Sequence, residues 1–370
     1  MYTIKRVSVL KTIAKNAVPI FYNGNQTAAL SSKHDQFVTR HIGSDENGIK
    51  KMLKTLNLKS LDELAAKSIP KNILLKSGLN LDKPMTEVEF LKYAQKVASE
   101  NQVWRSYIGM GYNNCHVPSV ILRNVFENPG WVTQYTPYQA ELSQGRLESL
   151  INYQTMICDM TGLDIANASL LDEGTAAAET VTMCFRQNKR NRFLVSDKIN
   201  PQTIDVLRTR SDILGFEIVV GDLKEMNVSD KNVSGIMFQY PDTEGSITDY
   251  EEIIKSAKNG GALITCVTDL LALCLLKAPK EIGVDIAFGN AGRFGVPLGY
   301  GGPHAAFFAC SDAYKRHMPG RIIGISRDAL GNEAYRLSLQ TREQHIRGDK
   351  GRFNKKICLF HEGKLGFYFF

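Results

Sequence analysis

The chain has 370 residues, 43% hydrophobic and 22% charged, the balance of an ordinary folded protein. That composition excludes a disordered chain, a collagen-like repeat and a disulfide-stapled miniprotein, and no run of about 20 apolar residues supplies a membrane-spanning helix. The net charge of +7 sits at the ends: residues 1–34 hold Lys5, Arg6, Lys11, Lys15 and Lys33 with no acid, and the last 25 hold six basic residues against Asp349 and Glu362. The body between them is slightly acidic, so a phosphate-binding face is not supported, and neither nucleic acid nor membrane is an expected partner.

At the start of the chain, Ile4, Val7, Leu10 and Ala14 recur at helical spacing beside Lys11 and Lys15, and the first acid is Asp35. A basic, acid-poor, amphipathic start is the pattern of mitochondrial import, so residues 1–35 read as a targeting peptide, with a frayed basic tail as the alternative. Residues 36–103 read as a helical segment. Ser60-x-x-Glu63 and Thr86-x-x-Glu89 are capping boxes, each followed by apolar residues at helical spacing, and Pro70 and Pro84 punctuate the segment.

From about residue 145 the period changes. Apolar runs of strand length occur at 193–195, 216–220, 236–240, 262–268, 284–288 and 305–309, with helix-like stretches at 176–188, 201–214 and 248–259 between several of them. Strands apolar on both faces that alternate with helices predict an α/β fold, a mostly parallel sheet sandwiched by helices. Right-handed crossovers would gather the ligand-binding loops at the carboxyl ends of the strands.

The segment 104–179 is the richest in polar loop residues. It holds Tyr107-Ile-Gly-Met-Gly-Tyr-Asn-Asn-Cys115, Tyr135-Thr-Pro-Tyr-Gln-Ala-Glu141, Ser143-Gln-Gly-Arg-Leu-Glu148 and Leu171-Asp-Glu-Gly-Thr-Ala-Ala-Ala-Glu179. These read as loops over a rigid sheet, where sites are built, or as plain connections. Gly174 and Thr175 read as the opening of a helix whose N–H groups suit a phosphate or carboxylate. No Walker lysine follows, and no G-x-G-x-x-G lies between a strand and a helix. Asp269 ends the run 262–268, where an acid either caps the next helix or holds a protonated ring nitrogen of a cofactor. The stretch Gly292-Arg-Phe-Gly-Val-Pro-Leu-Gly-Tyr-Gly-Gly-Pro-His304 is glycine-dense, as backbone crowded against a ligand or partner would be. Seven cysteines form no Cys-x-x-Cys pair and read as buried thiols of a reducing compartment, with no metal site.

Several of these motifs resemble one family. Tyr135-Thr-Pro-Tyr-Gln, Ser143-Gln-Gly-Arg-Leu-Glu, 171–179, Phe238-Gln-Tyr-Pro-Asp-Thr-Glu-Gly245, 293–304 and Gln340-Thr-Arg-Glu-Gln-His-Ile346 resemble the glycine dehydrogenases (decarboxylating), the P-proteins of the glycine cleavage system. The resemblance runs from about Phe37 to Arg347. It implies a pyridoxal-phosphate enzyme of the aspartate-aminotransferase fold class, an oxidoreductase of amino-acid catabolism in the mitochondrial matrix. That family decarboxylates glycine and passes the aminomethyl group to the lipoyl arm of the H-protein. Pyridoxal phosphate supplies the electron sink, and the protein orients the carboxylate and admits the lipoyl disulfide.

The resemblance also implies two similar halves, with the Schiff-base lysine in the second. This chain matches the first, and the position equivalent to the lysine is Gly292, 23 residues after Asp269. Gly174, Thr175, Asp269 and Gly292 are then a vestigial cofactor pocket, and pyridoxal phosphate is not expected to be covalently bound by this chain. Tyr112, Asn114, Cys115, Thr136, Tyr138 and Glu141 are carried over as substrate or cofactor contacts that the first half supplies, while Asn113 stands where relatives often carry an aromatic. Expected partners are the H-protein lipoyl arm and a lysine-bearing second half or subunit, in a dimer. Residues 104–346 read as the large domain. Residues 347–370 depart from the family and read as an aberrant tail from a truncated or misread gene product, with the C-terminal small domain missing, or as a natural tail that docks on a partner. The expected function is that of the N-terminal part of a P-protein, inactive alone; the alternative is a non-catalytic subunit that complements a lysine-bearing chain. A nucleic-acid-binding module rests on net charge alone.

Overall fold

The computed structural model describes residues 43–75, 77–131, 143–168, 170–299 and 301–338. The readings of 1–35 as a targeting peptide and of 347–370 as an aberrant tail lie outside them. Two compact units divide after Arg105.

The first unit carries three helices: α1 (Glu46–Thr55), α2 (Leu61–Ser68) and α3 (Glu87–Ser99). Each starts where a side chain takes a free backbone N–H. Asp45 Oδ1 accepts from Gly48 N at 2.7 Å, and Ser60 Oγ from Glu63 N at 3.1 Å. At Thr86 the box closes fully, since Glu89 Oε2 also accepts from Thr86 N at 2.9 Å. At Ser60 the return bond goes one residue early, from Lys59 N to Glu63 Oε2 at 2.7 Å. Among the described residues of this unit only Leu53 is buried.

The second unit is built on a seven-stranded sheet. In chain order it contains α4 (Gln144–Thr161), β1 (Ile165–Ala166), α5 (Glu173–Asn188), β2 (Arg192–Ser196), α6 (Pro201–Leu214), β3 (Glu217–Gly221), β4 (Val233–Tyr240), α7 (Glu251–Gly260), β5 (Leu263–Thr268), β6 (Ile286–Asn290) and β7 (Ala306–Cys310). A separate hairpin follows, β8 (Ile322–Arg327) with β9 (Glu333–Ser338). The sheet order is β1-β7-β6-β5-β4-β2-β3. Strands β2 to β6 pair in parallel, and β7 runs antiparallel to both β6 and β1.

This is the expected α/β architecture, and its three layers follow from the strands' alternation. On β4, Ile236, Phe238 and Tyr240 face the cluster with Tyr153 and Ile157 of α4 and Ile254 and Ala257 of α7. Met237 faces the opposite cluster, with Ala176 and Val181 of α5 and Ile204 and Leu207 of α6. Every residue of β4, β5 and β7 is buried, which is why those runs read as continuous apolar stretches rather than alternating ones.

Two elements depart from the reading by period. Ser143–Glu148 is not loop: it opens the 18-residue helix α4. Its Leu147, Leu150, Tyr153 and Ile157 form a buried helical stripe, masked in the sequence by the turn-like Ser143-Gln-Gly-Arg start. The hairpin β8–β9 interrupts its apolar residues with Arg327 and Arg336 and carries no continuous run. Its docking is apolar at Ile323, which is buried with Leu147 and Leu150 of α4, and polar on either side. Gln154 exchanges two hydrogen bonds with the Ile323 backbone (2.8 and 3.1 Å), and Gln144 does the same with Tyr335 (2.7 and 2.9 Å).

Of the six described cysteines, Cys184, Cys266 and Cys310 are buried as expected, whereas Cys115 and Cys158 are half-buried and Cys274 is exposed. Burial pushes the Cys310 thiol up to about 12 and the partly buried Cys158 thiol to about 11, so both stay protonated and unreactive. Among the described residues, no helix is long and apolar enough to cross a membrane, and no group of three or more His, Cys, Asp or Glu is placed to hold a metal ion.

Candidate functional site

A cavity of about 510 Å³ opens at the carboxyl ends of the parallel strands. Asn200 reaches it from the turn after β2, Asp242 from the turn after β4, Asp269 from the end of β5, and Gly292 and Arg293 from the end of β6. Glu173, the first residue of α5, lies in its wall, and residues 107–111 cross its mouth.

Asp269 and Arg293 form the charged centre of the cavity. Arg293 Nη2 donates to Asp269 Oδ2 at 2.9 Å, and Nε donates to both carboxylate oxygens at 3.2 and 3.3 Å. Such a bidentate fork fixes both planes. Asp269 also accepts from Leu271 N at 3.1 Å, a local turn two residues on; it does not cap the short helical turn 272–274 that follows, whose N-cap position is Leu271 with no side-chain cap. The two side chains are 31% and 28% exposed, open to the cavity rather than sealed in the core.

Glu173 is 4% exposed. Its Oε1 accepts from Asn200 Nδ2 at 2.9 Å and from Thr203 Oγ1 at 3.0 Å, and Asn200 N in turn donates to Gln239 Oε1 at 2.9 Å. Burial raises the Glu173 pKa above the ordinary 4.5, and the carboxylates of Asp172 and Asp269 push the same way against the two hydrogen bonds. A carboxyl whose folded-state pKa is raised contributes stability that is fully present below its unfolded value and lost as pH rises through the folded one. Glu173→Gln keeps the acceptor for Asn200 and Thr203 and cannot ionise. Its stability relative to the wild type should therefore climb with pH above about 4.5 and then level off. Paired thermal melts from pH 4 to 9 check this; a flat or falling difference would contradict it.

Two backbone N–H groups at the start of α5 are held by neighbours. Asp172 Oδ1 accepts from Thr175 N at 2.6 Å, and Glu173 N donates to His304 O at 3.0 Å. Gly174 is a packing position, because a Cβ there would lie 3.0 Å from Val206 Cγ2 of α6. Of the four residues expected in a vestigial cofactor pocket, Asp269 and Gly292 line the cavity, whereas Gly174 and Thr175 do not.

The loop at the mouth is preformed. Gly109, Met110 and Gly111 take φ of 68°, 55° and 84° in succession, a turn that costs little at glycine and more at Met110. Side chains from two elements hold it: Gln202 Nε2 donates to Met110 O at 2.8 Å, and Asn290 Nδ2 to Gly111 O at 3.2 Å. Behind it the Tyr112 ring lies 4.3 Å from that of His304, centroid to centroid. His304 is 9% exposed, its Nε2 has no hydrogen-bond partner among the described residues, and burial lowers its pKa, which favours the neutral imidazole. Asn114 is exposed and Cys115 half-buried, its thiol pKa raised by burial, and neither lines the cavity. Thr136, Tyr138 and Glu141 lie outside the described residues.

Reading by motif gave no role to Arg293, Glu173, Asn200, Gln239, Asn290 or His304. Arg293 and His304 bound the glycine-dense motif and could have been singled out as its charged and titratable residues. Nothing local marks Glu173 as buried.

The chain is similar to known proteins over most of its length. The family model described as glycine cleavage system P-protein matches residues 39–360. The chain is 58% identical over 332 residues to the mitochondrial glycine dehydrogenase (decarboxylating) of Homo sapiens, covering 89% of this chain and 32% of that protein. It is 54% identical over 326 residues to the glycine dehydrogenase (decarboxylating) of Thermosynechococcus vestitus, covering 87% and 34%. The chain thus spans about a third of the length of these curated relatives. Its fold matches that of the crystal structure of glycine decarboxylase (P-protein) of the glycine cleavage system, in inhibitor-bound form, with a TM-score of 0.80 and 33% identity over 89% of this chain and 76% of that one.

Proposed function

The chain belongs to the glycine cleavage system P-protein family, and from that premise we propose that it forms the first portion of a P-protein. In this reading its loops wall a site for glycine decarboxylation whose Schiff-base lysine stands in another segment. The observation that carries it is the lining of the cavity. Among the described residues there, the sole cationic side chain is Arg293, already engaged by Asp269, and the position after Ala291 is a glycine. A guanidinium engaged by a carboxylate is not an amine and cannot take the lysine's place.

The work of this chain is then positioning. Tyr112, Asn114 and Cys115, with Thr136, Tyr138 and Glu141, are proposed to face glycine, cofactor or the lipoyl arm in the lysine-bearing segment. Support for this comes from the clamped mouth loop, which holds the Tyr112 backbone in one conformation before any ligand arrives. A lysine-bearing segment would serve equally as part of the same polypeptide or as a separate subunit. The partners are a lysine-bearing half, in a dimer, and the H-protein, and the compartment is the mitochondrial matrix. The names of the human, mouse and chicken relatives and the basic, amphipathic residues 1–35 support that location.

Two measurements test this. The purified 370 residues, incubated with pyridoxal phosphate and reduced with borohydride, should yield no adduct on any single defined lysine. Mixing them with a lysine-bearing second half should restore glycine–bicarbonate exchange. Release of labelled CO2 from glycine by these residues alone would overturn the proposal, and so would failure of the mixture to co-purify.

A further inference from the structure

In the reading above, the cavity at the strand ends corresponds to the family's cofactor station, and its own residues do not match pyridoxal phosphate. Two ends of that cofactor need partners: a ring nitrogen that is held by an acid when protonated, and a phosphate that suits free N–H groups at a helix start. Asp269 is the acid at the strand end, but the Arg293 fork already covers both of its oxygens at 2.9 to 3.3 Å. At the helix start, Thr175 N is taken by Asp172 and Glu173 N by the His304 carbonyl. The residue of α5 that lines the cavity is Glu173, and Asp242, Glu244 and Asp269 line it as well. An anion brought there would meet an acidic wall.

We infer that Arg293 is the built-in cation of this cavity: it takes the acid that a ring nitrogen would need and, with the Thr175 and Glu173 N–H groups at the helix start already held by Asp172 and the His304 carbonyl, bars pyridoxal phosphate whether or not an amine is present. The missing lysine is then one of three obstacles. A Cβ at Gly292 would already lie 2.8 Å from Asn290 Oδ1, the side chain that also accepts from Gly292 N at 2.6 Å. Restoring the lysine therefore presses on the group that orders this turn.

The test separates the two ends by using pyridoxal with and without its phosphate. Gly292→Lys alone should trap neither compound at position 292 after borohydride reduction and peptide mass mapping. Gly292→Lys with Arg293→Ala should trap pyridoxal there at least tenfold more, with no advantage for pyridoxal phosphate over pyridoxal. Equal trapping by the single and double variants would show that Arg293 is no barrier. A tenfold preference for the phosphate would show that the helix start is open, and absence of trapping in the folded double variant would also overturn the inference. If Gly292→Lys does not fold, 4-deoxypyridoxine, which needs no lysine, replaces the aldehydes. It should bind Arg293→Ala at least tenfold more tightly than wild type, and equal binding would be fatal. Exchange by the mixture with a lysine-bearing half does not depend on this outcome, so the two proposals fail separately.

Discussion

Gly289→Ala is expected to cost about 3 kcal/mol or more, the upper range for overpacking in a dense core. Gly289 lies in β6, one residue past the last β5–β6 pair, Val267 with Phe288. A Cβ there would fall within contact distance of the Thr268 carbonyl oxygen, and 2.9 Å from Phe307 Cε1 on β7. The ring can turn aside, whereas the carbonyl belongs to the end of β5. Relief would require β5 and β6 to spread at the point where Asp269 and Arg293 face one another. Two readouts should move together: the urea midpoint falls at unchanged m-value, and the Asp269–Arg293 geometry loosens. A variant as stable as wild type would show that the strands tolerate separation there.

Phe307→Ala is expected to cost about 4 kcal/mol, within the range for a fully buried phenylalanine. Phe307 is 0% exposed and pairs with Gly289 in the antiparallel register of β6 and β7. Its ring belongs to the core cluster that also contains Phe294, next to Arg293 in sequence. Combining the two substitutions distinguishes their causes. If the ring were the main obstacle to a Cβ at Gly289, the double variant would be no less stable than Phe307→Ala alone. Because the Thr268 carbonyl remains, the double variant should be the least stable of the three, though by less than the two costs added. Equilibrium urea unfolding of the four proteins decides between these outcomes.

The pairing of Asp269 with Arg293 also revises how an acid at a strand end is read. From the sequence, Asp269 left two roles open, a helix cap and a cofactor contact. In the structure its carboxylate accepts from Leu271 N in a local turn, leaves the next helical turn without a side-chain cap, and binds the Arg293 guanidinium. Arg293 stands inside a motif that already identified the family, yet its partner is 24 residues away, across the ends of two strands.

The amino-acid sequence by itself determined the elements whose causes are local. The apolar runs of β4, β5 and β7 became strands whose own residues bury both faces, while the run at the edge strand β3 is only half-buried, and the α3 start was legible in Thr86 and Glu89 because a capping box spans four residues. The family, too, was carried by contiguous motifs. Helix α4 escaped because a turn-like start hid its stripe, and β8–β9 because half-buried strands carry no continuous run. Only the tertiary structure decided the direction of β7, the Glu173–Asn200–Gln239 network, the seat of Tyr112 on His304 and the pairing of Asp269 with Arg293. Each of these joins residues from different elements. Their meeting depends on strand order and on which crossovers bring the strand ends together, and no local pattern encodes that.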